Sequence, residues 1–203
     1  MPKSYSKFTL EDLSDLDIRV VESCVIDKNK VAEVAPSQLL KDILEINTKL
    51  KLRTEKAKSE LLISPILVEM VSKNTATFSF FSGYKFNVDA KIGLNGFCDY
   101  ILTLDPSSYA ISSPVFCVVE AKNDNLDEGI AQCIAEMYAA QLFNKKKNNN
   151  LSTIYGAVTF GFEWKFIKLV EKQADVDTEI YFLNKLPELL GALQHIIDLS
   201  SKQ

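Results

Sequence analysis

One stretch, VFCVVEAKND at residues 115–124, constrains the fold more than any other. Four of its first five residues are apolar and β-favouring, and the fifth is Cys117, so it reads as a buried strand. NLDEGIAQCIAEMYAAQLFNK follows at once. Ile130, Ile134, Met137 and Leu142 give that segment an apolar face, and alanine fills much of the rest, which predicts a helix. A buried strand feeding directly into a helix belongs to a sheet with helices packed on it. Yet the strand ends in Glu120 and Lys122. Alternate strand residues share a face, so two opposite charges leave the apolar run on the same side.

The rest of the chain fits an α/β reading. ATFSFFSGYKFNVD and GFCDYILTLD, rich in aromatic and β-branched residues and punctuated by glycine, predict two strands before this one. IYGAVTF and WKFIKLVE predict two more after the helix, with a short one at TEIYFL. LPELLGALQHIIDLS predicts a closing amphipathic helix. Before the strands, PSQLLKDILEINTKL has near-helical spacing. A second helical pattern starts near Thr54 and meets Pro65, which either kinks one helix or starts another behind Ser64. DIRVVESCVI reads equally as strand or short helix. The predicted fold is a mixed central sheet flanked by helices.

At 203 residues the chain suits one domain of moderate size with a small appendage. The expected division is a mainly helical extension over 1–50, packed on a core domain over 51–203. A net charge of −4 does not advertise nucleic-acid binding, although binding depends on where basic residues sit. Four cysteines without a CxxC pair, and one histidine, argue against structural zinc. The N-terminus lacks a signal-type apolar core, and LLISPILVEM is too short to span a bilayer. A cytoplasmic protein with free thiols and no membrane partner is expected.

Asp99 is the second anomaly, an aspartate among Phe97, Cys98, Tyr100 and Ile101. Burying it is costly unless it is paired or binds a metal. If its strand neighbours the Glu120 strand, the two carboxylates converge beside Lys122. The plain reading is a salt bridge at the rim of the sheet. The chemical reading is a site for a hard divalent cation, with the lysine reaching a water or a phosphate oxygen.

These residues resemble the PD-(D/E)xK nuclease superfamily, the restriction endonuclease-like fold. Its core runs helix, three strands, helix, strand. An acid sits on the second core strand and E-x-K on the third: here GFCDY with Asp99, and CVVEAK with Glu120 and Lys122. The resemblance covers roughly residues 50–170. Several branches carry a glutamine on the following helix, and Gln132 is in the matching place. The RecB-like branch has a tyrosine four residues later, where this chain has Glu136. A glutamate on the first core helix is also common. Glu60 and Glu55 compete for that role, about 140° apart on a regular helix, and Glu60 is preferred.

The resemblance implies a nuclease hydrolysing DNA phosphodiester bonds with Mg²⁺, or Mn²⁺ as substitute. Asp99, Glu120, the Ala121 carbonyl and Glu60 would hold the metal. Lys122 would assist the attacking water, and Gln132 would orient it. DNA contact is expected from Lys49, Lys51, Arg53, Lys56 and Lys58. If that segment is helical, Lys49, Arg53 and Lys56 share a face at i, i+4 and i+7. RNA is a second substrate class, and a homodimer is a further expectation. The competing reading is a catalytically inactive binding or assembly module on the same fold.

Overall fold

The computed structural model describes residues 3–203. Its elements run α1 (Leu10–Asp15), β1 (Arg19–Ser23), α2 (Gln38–Asn47), α3 (Glu55–Lys58), α4 (Ser64–Lys73), β2 (Ser79–Lys85), β3 (Phe97–Thr103), β4 (Val115–Ala121), α5 (Asp127–Lys146), β5 (Thr153–Thr159), β6 (Glu163–Val170), β7 (Gln173–Asp177), β8 (Tyr181–Phe182) and α6 (Leu186–Ser200). The fold is α/β, with a mixed sheet in the order β1-β7-β6-β5-β4-β3-β2 and β8 added alongside β6.

β4 is an interior strand, and all seven of its residues are buried. It pairs antiparallel with β3 and parallel with β5, the parallel step being made by α5. Gly156, paired with Val118, faces α5: a β-carbon there would lie 2.9 Å from the Cys133 sulfur. Tyr100, paired with Val119, instead bonds through its hydroxyl to Ser59. Adjacent strand residues point oppositely, so α5 and the α3–α4 segment cover opposite faces. Trp164, Phe116, Phe166 and Tyr100 are among the fully buried side chains of the core.

Pro65 sits in a helix that continues through it. A π-type turn over Ser59–Ile63 joins α3 to α4, placing Pro65 in the first turn of α4. The wider turn accommodates the missing N–H without a break. The first fifty residues are not helical alone. DIRVVESCVI supplies β1, which pairs parallel with β7, so this segment is built into the sheet. Strand β7 is not evident in the sequence pattern. Among the described residues, no helix is long and apolar enough to cross a membrane, and the four cysteines are free thiols, with Cys98, Cys117 and Cys133 buried.

Candidate active site

Asp99 lies on β3 near the C-terminal end of β4, where the paired register between the two strands has ended at Tyr100 and Val119. Its Oδ2 accepts the Ala121 N–H at 2.8 Å, replacing a missing ladder bond. Glu120 is 2% exposed. Its Oε1 accepts from Lys122 Nζ at 2.6 Å, and its Oε2 is buried without a partner. The Lys122 backbone is pinned as well, its N–H donating to the Thr159 carbonyl on β5 at 2.8 Å.

Helix α5 completes the cluster. Lys122 Nζ also donates to Gln132 Oε1 at 3.0 Å, and Gln132 Nε2 donates to Glu136 Oε1 at 3.1 Å. Glu136 is fully buried, and its Oε2, like that of Glu120, has no partner. Gly129 permits the close approach. A β-carbon there would meet Val158 at 2.5 Å and the Lys122 stem at 3.0 Å. At its other end α5 is clamped to β4, where Asn144 accepts the Val115 N–H and donates to the Val115 carbonyl.

The electrostatics follow from burial. Desolvation, then the neighbouring Asp99, push the Glu120 carboxyl up to about 8. Burial, then the negative Glu120, hold Glu136 well above the usual carboxylate range. Burial also raises Asp99, with the Ala121 N–H and Lys122 opposing. For Lys122, burial acts to lower the ammonium, but Glu120 overrides it and the net shift is upward. Three acids crowded in a dry site are thus held toward their protonated forms, a bias that a bound cation would reverse.

Asp99 and Ala121 line a cavity of about 280 Å³ together with Glu55, Glu60, Ser59, Tyr100, Ser82 and Gly83. Glu55 and Glu60, the two candidate helix acids, both line this cavity and both are exposed. Glu60 lies 3.8 Å from Lys56, one helical turn away. The Glu55 carboxyl is raised by partial burial and senses both Lys122 and Asp99. Glu55 thus senses the charges of the cluster, and Glu60 shares the cavity wall with it.

The basic segment is corrected. Residues 49–54 are not helical, so Lys49, Arg53 and Lys56 form no helical face. Lys49 pairs with Glu45 at 2.8 Å. Lys58 is buried, donating to the Asn123 carbonyl and to Asp124, with the Phe160 ring beneath it. It latches α3 to the loop after β4 rather than facing solvent. Lys51, Arg53 and Lys56 remain exposed. Trp164 is fully buried, and His195, the one histidine, lies on α6.

The residues fit a hard divalent cation in kind: two carboxylates, one with an orphaned buried oxygen, beside a backbone carbonyl. Among the described residues, no three His, Cys, Asp or Glu side chains are already grouped to hold an ion. Glu136 was legible in the sequence as the residue one helical turn beyond Gln132, the spacing that puts two side chains together. No family model and no curated protein matches this chain.

Proposed function

We propose that the protein is a metal-dependent nuclease on a restriction endonuclease-like core, acting on DNA. The observation that carries this reading is the buried Glu120–Lys122 pair beside Asp99, in which one Glu120 oxygen is buried without a partner. The order α3–α4, β2, β3, β4, α5, β5 supports it, because it repeats the helix, three strands, helix, strand of that superfamily. The free, largely buried thiols suit a reducing cytoplasm.

In this reading Asp99, Glu120 and the Ala121 carbonyl would hold Mg²⁺, with Glu55 and Glu60 on the wall of the same cavity. When bound, the ion supplies charge that polarises the scissile phosphate and lowers the pKa of water. Lys122 has three N–H donors. Two are committed to Glu120 and Gln132, which leaves the third for the attacking water or the phosphate oxygen that gains charge. Lys51, Arg53 and Lys56 lie on the segment leading into the cavity and contact the phosphate backbone.

A digest panel tests this reading. Supercoiled, linear duplex and single-stranded DNA, and RNA, are incubated with the protein in Mg²⁺, Mn²⁺ or EDTA. Cleavage of DNA that needs the ion and disappears in Asp99→Ala is expected. Ion-independent cleavage, or none in any lane, overturns it. The second outcome, with a folded protein, favours the salt-bridged binding module, which the closed Lys122–Glu120 pair also fits.

A further inference from the structure

The Gln132 amide has a donor end and an acceptor end, and the two are not interchangeable at this place. Lys122 is a pure donor, so it needs the amide oxygen. Reversed, the amide would point its NH₂ at an ammonium and leave Lys122 one acceptor short. The Lys122 contact favours the observed orientation from one side only. The contact on the other side favours it too, because Glu136 Oε1 takes the Gln132 Nε2 hydrogen.

We infer that Glu136 is a positioning residue: by accepting the Gln132 amide N–H it turns the Gln132 carbonyl onto Lys122 and fixes the lysine for its task. The inference rests on the nuclease reading for what Lys122 does, but not for the brace itself. Four observations converge on it. Glu136 is one helical turn from Gln132, on the same face of α5. It is fully buried, so no water competes for the amide. Gly129, one turn before Cys133, brings α5 close enough for Gln132 to reach the lysine. The brace is anchored to the sheet at both ends, because Lys122 is held by Thr159 and α5 by the Asn144–Val115 pair. A carboxyl buried beside Glu120 without a cationic partner of its own costs stability, and the orientation of Gln132 is what it secures.

The test uses the full chain and the variants Glu136→Leu, Glu136→Gln, Gln132→Leu and the double Gln132→Leu/Glu136→Leu. The first readout is the Gln132 side-chain amide in NMR spectra of the metal-free protein. The wild type is expected to show a Gln132 NH₂ with at least tenfold slower hydrogen exchange than an exposed glutamine. Glu136→Gln keeps that protection through its own carbonyl, and Glu136→Leu loses it. The second readout is cleavage at saturating Mn²⁺. Glu136→Leu is expected to lower kcat about tenfold or more with KM within twofold, and Glu136→Gln to restore most of it. The double variant is expected to be no slower than Gln132→Leu, because both changes break one chain of hydrogen bonds.

Equal amide protection in Glu136→Leu and wild type overturns the brace. So does additivity in the double variant, or a Glu136→Gln loss as deep as that of Glu136→Leu, which would show that an acceptor at position 136 is not the operative feature. A wild type that cleaves nothing defeats the nuclease reading instead, and the amide exchange still decides the brace.

Discussion

Glu120 places a carboxyl where burial and Asp99 favour its proton. In the folded protein it titrates at about 8, against 4.5 for an ordinary glutamate. Between those values the native state binds more protons than the unfolded state, so this group makes stability fall as pH rises. Glu120→Gln should therefore melt at least about 3 °C above the wild type at pH 8 in EDTA, near the shift that 1 kcal/mol gives a chain of this size. The gap should close near pH 5, and calorimetry across that range checks it. A gap independent of pH would contradict the assignment. Lys122 carries the opposite kind of cost. Lys122→Met should lower kcat by about 10²- to 10³-fold, the usual loss of a donor aimed at developing charge, while Mn²⁺ affinity stays within a few fold.

At the scale of elements, α5 matters most, because it is pressed onto the sheet at two points. Asn144 satisfies both backbone groups of Val115. Asn144→Ala strands a buried N–H and a buried carbonyl, at about 1–3 kcal/mol for a buried group left unpaired. The melting temperature should drop by several degrees, with Mn²⁺ binding to the folded fraction retained. Gly129→Ala acts at the other clamp. Its methyl would meet Val158 and the Lys122 stem, so activity should fall further than stability. Both elements of this clamp, VFCVVEAK and the helix after it, were legible because their periodicities are strong. The choice between Glu55 and Glu60 was not. The 140° argument assumes one regular helix, and the π-type turn at Ser59–Ile63 changes the phase between the two residues. QADVD was missed for a different reason. Its two apolar residues, Ala174 and Val176, alternate with polar ones too briefly to read, and the strand exists because β1 and β6 pair with it on either side.

For the whole molecule, the N-terminal segment and the sheet cannot be separated cheaply. β1 covers the β7 edge, and buried Asp177 accepts the Val25 and Ile26 N–H groups beyond it. A chain starting at residue 51 would expose that edge and leave Asp177 without those two donors. Low solubility or a lower melting temperature is expected, measured on the purified fragment. With a net charge of −4, the proposed DNA contact rests on the exposed Lys51, Arg53 and Lys56. Replacing Lys51, Arg53 and Lys56 together by alanine should weaken DNA binding and reduce the salt slope by about 0.9 for each phosphate no longer neutralised. The central claim is that Asp99 and Glu120 hold a divalent cation beside Lys122. Its most direct test is calorimetric titration of Mn²⁺ into the wild type and into Asp99→Ala, each shown to be folded. Saturable binding to the wild type that is abolished in Asp99→Ala is the predicted result; no binding to the wild type, or equal binding to both, would contradict it.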